Sequence, residues 1–172
     1  MPDPVYFETS AVLELLNATA KGDHVRDLIA ELQSSKTRIY TSILTVQEAS
    51  ILALSRGGTE QAVYDRINQF ARIYSIDRQI ALTAARLEVA VVKHLRKGQG
   101  VQDEARHRRR WDCIHIATAQ VLGCTTLFAY DKHFATRSRQ IDLSMLRIEQ
   151  PRPRQPALDL RQAKLAIVKG KE

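Results

Sequence analysis

The 172-residue chain is 44% hydrophobic and 26% charged, which fits one well-buried globular domain with a modest appendage and excludes a disordered or fibrous protein. Its net charge of +7 favours a polyanionic partner, although +4 of it falls after residue 150, where six Lys/Arg stand against two Asp/Glu. No apolar run approaches the roughly 20 residues that cross a bilayer, and the start lacks a secretory signal pattern, so neither a membrane protein nor a secreted one is expected.

The first half of the chain alternates short apolar runs with helical patterns. Val5–Phe7 predicts a strand that ends at Glu8, and Thr9 and Ser10 are expected to cap a helix over Ala11–Thr19. The motif Lys21-Gly22-Asp23 is expected to break that helix. The later predicted elements are a helix with apolar positions Val25, Leu28, Ile29 and Leu32, a strand over Arg38–Thr41, and helices over Thr45–Ser55 and Glu60–Ile73.

The second half continues the alternation. It contains a long helix opened by Asp77 and running to Leu95, a polar loop or helix start over Val101–Arg110, a buried helix over Trp111–Leu122, and strands over Thr125–Ala129 and Ser144–Ile148. Strands that alternate with helices predict an α/β fold, with a short, mainly parallel central sheet flanked by helices on both faces.

Composition divides the chain near residue 150. Residues 1–149 are expected to form the domain, and residues 150–172 a basic, proline-containing tail in which Leu158–Val168 has the pattern of a short helix. Cys113 and Cys124 stand among apolar residues with neither CxxC nor zinc spacing. They are therefore predicted to be reduced core residues of a cytoplasmic protein.

Four acids occur where a parallel sheet would collect them. Glu8 ends the first strand, Glu48 falls in the first turn after the second, Asp112 begins the buried helix, and Asp131 follows the Thr125–Ala129 strand. Because the carboxyl ends of parallel strands share one edge, we expect the four carboxylates to meet there. Clustered carboxylates repel one another, and a hard divalent cation, Mg²⁺ or Mn²⁺, removes that penalty and activates water against a phosphodiester.

The local settings of these acids resemble the motifs of the PIN-domain family. VYFETSAVLELL resembles the family's opening strand and acid, TSILTVQEASIL its second motif, and WDCIHIATAQVLGCTTLFAYDKHF its third and fourth motifs together. The resemblance runs from Val5 to Ile148. It implies a three-layer PIN-like fold and a metal-dependent endoribonuclease, often the VapC-like toxin of a type II toxin–antitoxin pair, with metal ligands at Glu8, Glu48, Asp112 and Asp131.

Glu8 departs from the family pattern, which has aspartate at this position. The extra methylene shifts the carboxylate by roughly 1.5 Å, and Mg²⁺ tolerates little geometric error. An alternative function is therefore a catalytically impaired PIN-like domain that binds RNA or protein. A phosphatase with an aspartyl nucleophile ranks below both, because the segment Phe7–Ser10 lacks the DxD pair of such enzymes.

Each site residue also has a purely structural explanation. Thr45 and Glu48 fit a capping box, Asp112 fits the N-terminal end of a helix, and Asp131 fits a turn. Thr9 and Ser10 are expected to cap a helix and to orient ligand carboxylates or water. His115, one helical turn beyond Asp112, is either a buried core histidine or a residue that orients a ligand.

A basic cluster precedes Asp112. Arginine suits phosphate recognition, so the cluster is predicted either to bind RNA phosphates or to form a solvated surface: Arg106, Arg108, Arg109 and Arg110, with Lys132 after Asp131. The expected partners are RNA (tRNA, rRNA or mRNA), a cognate antitoxin implied by the toxin resemblance, and a second copy of the chain in a homodimer.

Overall fold

The structure is a computed structural model that describes residues 2–95, 103–137, 139–141, 143 and 145–153. The predicted tail helix over 158–168 and the segment at 96–102 lie outside the described residues. No helix in the described part of the chain is long and apolar enough to cross a membrane.

Five parallel strands form the central sheet in the order β3-β2-β1-β4-β5. Their bounds are β1 Val5–Phe7, β2 Ile39–Ser42, β3 Arg72–Tyr74, β4 Thr126–Phe128 and β5 Arg147–Glu149. The three central strands are buried along their whole length, because helices cover both faces of the sheet.

Seven helices accompany the sheet in the described residues. They are α1 Thr9–Leu16, α2 Ala20–Ser34, α3 Ile43–Leu54, α4 Glu60–Asn68, α5 Arg78–Leu95, α6 Asp103–Val121 and α7 Lys132–Arg137. Successive residues of β1 point to opposite faces, so Tyr6 joins a core with α5 and α6, whereas Val5 and Phe7 join a core with α1 to α4. The predicted three-layer α/β fold is confirmed.

The predicted helix over Glu60–Ile73 is wrong in its last part. The helix α4 ends at Asn68, and Arg72–Tyr74 forms the edge strand β3. The residue Ile73 pairs with Thr41 of β2. This long-range pairing decides the structure of a segment whose apolar spacing suits either element.

The predicted break after α1 and the predicted start of α3 are also corrected. The break after α1 lies at Asn17–Thr19, where Ala18 has a φ of 51°, and Lys21-Gly22-Asp23 belongs to the first turn of α2. Glycine is required there, because a Cβ on Gly22 would lie 2.2 Å from the carbonyl oxygen of Glu14. The helix α3 starts at Ile43 and not at Thr45, and α6 starts at Asp103, which agrees with the helix-start alternative for the segment before Trp111. Asp77 caps α5 as predicted, accepting from Ile80 N at 2.8 Å.

Candidate metal centre

A cleft of about 370 Å³ opens at the carboxyl edge of the central strands. The four predicted acids all line it: Glu8 after β1, Glu48 on α3, Asp112 on α6 and Asp131 after β4. The sheet thus brings together side chains more than 120 positions apart in the sequence, as the parallel topology predicts. The other lining residues are His107, Arg108, Trp111 and His115.

Glu8 is buried and caps α1. Its Oε2 accepts hydrogen bonds from the backbone N–H and the hydroxyl of Ser10, the former at 2.8 Å. Thr9 and Ser10 are therefore inside the first turn, and the prediction that they cap the helix is wrong. Burial raises the pKa of Glu8; His115 and Ser10 partly offset this, and Glu48 adds to it.

Glu48 lies in the second turn of α3 and is half-buried. The capping-box interpretation is wrong, because Ser42 caps α3, accepting from Leu44 N at 3.1 Å, and Thr45 is inside the helix. Burial raises the pKa of Glu48, but the nearby imidazole of His115 and the hydrogen bond from Thr9 outweigh it, so the pKa is lowered. Thr9 Oγ1 donates to Glu48 Oε2.

His115 lies at the bottom of the cleft and is only 1% exposed. Its Nδ1 lies 2.7 Å from the hydroxyl of Tyr6, and its Nε2 lies 3.6 Å from Glu48 Oε2. One donor atom from each of Glu8, Glu48 and His115 lies within 4.8 Å of the other two. Among the described residues this is the one group with the spacing of metal ligands, and its two carboxylates and imidazole suit a divalent cation.

Asp112 lies in the middle of α6, and its predicted place at a helix N-terminus is wrong. Its Oδ2 accepts from Arg137 Nε at 3.2 Å, and both side chains are at most 10% exposed. Burial raises the pKa of Asp112, Arg137 lowers it, and Asp131 raises it again. Sequence reasoning missed Arg137, because α7 is a six-residue helix without a periodic pattern.

Ser10 links the first strand to the Asp131 turn. Its Oγ accepts from the backbone N–H groups of Tyr130, at 2.8 Å, and Asp131, at 3.1 Å, while donating to Glu8. Asp131 Oδ1 in turn accepts from His133 N at 2.8 Å. Asp131 is therefore a turn residue that also lines the cleft, so its two interpretations are compatible.

The arginines of the basic cluster lie on different faces of α6. Arg108 lines the cleft, with Nη1 3.2 Å from His133 Nε2. Arg109 is 3% exposed, which contradicts both of its predicted places, whereas Arg110 is exposed and pairs with Glu88 of α5 at 3.4 Å, which fits a solvated surface. Lys132 is exposed beside Asp131. The side chain of Arg106 lies outside the described residues.

Comparison with known proteins gives one family and several similar structures. The PIN domain profile matches residues 5–139. VapBC2 from Rickettsia felis, bound to a DNA fragment from its promoter, is similar with a TM-score of 0.60 and 13% identity, over 85% of this chain and 98% of that chain. No curated protein matches the sequence at a significant level.

Two further solved structures show the same fold. VapC20 from Mycobacterium tuberculosis, a sarcin–ricin-loop-cleaving toxin, gives a TM-score of 0.53 at 20% identity, over 77% of this chain and 93% of that chain. DNA-bound VapBC from Salmonella typhimurium gives a TM-score of 0.58 at 17% identity, over 87% of this chain and 98% of that chain.

Proposed function

The chain belongs to the PIN domain family, and from that premise we propose that it is a metal-dependent endoribonuclease, the toxin of a type II toxin–antitoxin pair. The observation that carries the proposal is the single cleft lined by Glu8, Glu48, Asp112 and Asp131. Carboxylates gathered at the carboxyl edge of a parallel sheet form the kind of site that binds a divalent cation and a phosphate ester.

The proposed roles follow from the contacts of each side chain. Glu8 and Glu48 hold the cation through their carboxylate oxygens, which Ser10 and Thr9 orient. Asp112, fixed by Arg137, and Asp131 orient water at the opposite wall. When bound, Mg²⁺ or Mn²⁺ supplies Lewis-acid stabilisation of the phosphate and lowers the pKa of water.

Cationic side chains at the rim are proposed to hold the RNA strand. Arg108 lines the cleft and is exposed, and Lys132 is exposed at the start of α7 beside Asp131. Guanidinium and ammonium groups bind phosphate oxygens without reading the base. We therefore propose RNA as the substrate class, with tRNA, rRNA and mRNA as candidates.

The proposed partners are a cognate antitoxin and a second copy of the chain. The similar structures include VapBC assemblies from Rickettsia felis and Salmonella typhimurium, which supports an antitoxin partner. The absence of a membrane-spanning helix from the described residues is compatible with the proposed cytoplasmic location.

The decisive experiment is cleavage of labelled tRNA, rRNA fragments and a structured mRNA in Mg²⁺, Mn²⁺ or EDTA. The variants are Asp112→Asn and Glu8→Asp, with Asp65→Asn on the exposed face of α4 as the matched control. We expect cleavage that requires metal, is lost in Asp112→Asn and persists in the control. Full activity of a folded Asp112→Asn would reject the proposed role of this carboxylate.

A second candidate function is a binding domain without chemistry, and the capping role of Glu8 favours it. One oxygen of this carboxylate is already engaged by Ser10, so the side chain has a structural role apart from any metal. In that case wild-type protein binds RNA equally in Mg²⁺ and EDTA without cutting it. Cleavage by Glu8→Asp alone would identify an impaired nuclease.

A further inference from the structure

We infer that His115 is a nitrogen ligand of the divalent cation, bound together with Glu8 and Glu48, and that the centre therefore prefers Mn²⁺ to Mg²⁺. The inference rests on the proposed metal-dependent function and specifies the ligand set of that site. It assigns the histidine a direct role, in place of the core or orienting roles expected from the sequence.

The surroundings of His115 Nε2 leave it poorly paired. Thr9 Oγ1 lies 3.4 Å away, near the limit for a hydrogen bond, and its hydroxyl proton is directed to Glu48 Oε2. Glu48 Oε2 itself is 3.6 Å from Nε2, too far for a direct hydrogen bond. A buried nitrogen that opens onto the cleft without a good partner is suited to a metal ion.

The distances are close to those of atoms that share one ion. Ligand atoms bound at about 2.1 Å lie roughly 3 Å apart when adjacent and roughly 4.2 Å apart when opposite. The 3.6 Å separation of His115 Nε2 and Glu48 Oε2 falls between these values, and the whole group lies within 4.8 Å. Small side-chain movements are enough to complete the coordination.

Tyr6 fixes the ring of His115 in the required orientation. Its hydroxyl lies 2.7 Å from Nδ1, and both side chains are fully buried. When Nδ1–H donates to this oxygen, the lone pair of Nε2 points into the cleft. Metal-bound histidines are commonly oriented by such a hydrogen bond from the other ring nitrogen.

The remaining carboxylates of the cleft each have one oxygen engaged outside the group of Glu8, Glu48 and His115. Asp112 Oδ2 is paired with Arg137, and Asp131 Oδ1 accepts from the backbone of its own turn. The group closest to metal-ligand spacing thus contains one imidazole among two carboxylates. Mg²⁺ binds oxygen ligands almost exclusively, whereas first-row transition-metal ions also accept an imidazole nitrogen, so this donor set favours Mn²⁺ over Mg²⁺.

The test is pulsed electron paramagnetic resonance of Mn²⁺ bound to the full chain. We expect electron-spin-echo modulation from a directly bound ¹⁴N, converted to the ¹⁵N pattern by labelling with ¹⁵N-histidine. His115→Gln should abolish the nitrogen coupling and weaken Mn²⁺ binding by roughly tenfold or more. His107→Gln and His133→Gln, which change exposed histidines beside the cleft, are the matched controls and should retain the coupling.

Each result decides the inference. Nitrogen coupling that survives in folded His115→Gln, wild-type Mn²⁺ without nitrogen coupling, or no Mn²⁺ binding at all would overturn it. If His115→Gln fails to fold, ¹⁵N-labelled wild type and the two controls give the answer. Metal-dependent cleavage without nitrogen coupling would reject the inference and leave the nuclease proposal intact. Nitrogen coupling without cleavage would support the inference and reject the nuclease proposal.

Discussion

Glu8 joins the end of β1 to the start of α1 and also lines the cleft. Its carboxylate accepts from Ser10 and sits near Glu48 and His115. The pKa of Glu8 is raised by burial, whereas the pKa of Glu48 is lowered by its partners. The two side chains therefore give opposite contributions to the pH dependence of stability.

The metal-free protein should lose stability through Glu8 as pH rises. Because the pKa of Glu8 is raised in the folded state, its contribution to the free energy of unfolding is fully present below the ordinary pKa of 4.5. That contribution is lost as pH rises through the folded-state pKa. In EDTA, Glu8→Gln should therefore lose less stability than wild type between pH 4.5 and pH 7, measured by urea unfolding.

Glu48→Gln is the control, because its effect on stability should change with pH in the opposite direction. The contribution of Glu48 is present above its ordinary pKa and is lost as pH falls through the lowered folded value. This variant should therefore be less stable than wild type at pH 7 and approach it below pH 4. Identical pH profiles for the two variants would contradict the assigned electrostatics.

Arg137 should be needed for stability because of Asp112. Arg137→Met leaves a buried carboxylate without its partner and should reduce the free energy of unfolding by about 3 kcal/mol. The double variant Arg137→Met/Asp112→Asn removes the charge as well and should recover part of that loss. A double-variant cycle by urea unfolding measures the coupling, and additive losses would show that the pair is not coupled.

At the scale of an element, the helix α6 decides which basic residues reach the cleft. It begins at Asp103, so Arg108, Asp112 and His115 share the face toward the cleft, while Arg110 faces α5. The sequence predicted the cluster but not its division. The sequence leaves the arginines in a segment that is either a loop or a helix start. The face on which each arginine lies therefore could not be predicted.

Arg108 and Arg110 form a matched pair for testing this face. Arg108→Gln should weaken RNA binding and raise the KM for cleavage, because it removes a positive charge at the cleft. Arg110→Gln removes the same charge from the α5 side and should leave both unchanged, with a stability loss of at most about 1 kcal/mol. Equal weakening of RNA binding by the two variants would contradict the division of the cluster.

Strand ends made Glu8 and Asp131 predictable, whereas β3 and the role of α7 were not. The position of Glu8 after an apolar run and of Asp131 after another is a local pattern, and parallel topology then places both at one edge. The strand β3 depends on pairing with β2, and Arg137 is identified only by its contact with Asp112. Neither contact can be found from local periodicity.

At the scale of the whole molecule, the reactivity of the two buried cysteines measures whether the core is folded. Burial raises the pKa of both Cys113 and Cys124 to about 12. Native protein at pH 8 should therefore not react with a thiol reagent, because the thiolate is the reactive species. Both thiols should react together in urea, following the unfolding curve; rapid labelling of the native chain would contradict their burial.

The central position of β1 has a consequence for the stage of synthesis at which the proposed site is assembled. β1 pairs with β2 and also with β4, which begins at Thr126. Asp112, His115 and Asp131 likewise come from the later part of the chain. A nascent chain that has exposed only its first hundred residues carries Glu8 and Glu48 without the opposite wall of the cleft. The proposed nuclease site is therefore assembled only after Asp131 has left the ribosome, late in the synthesis of the chain.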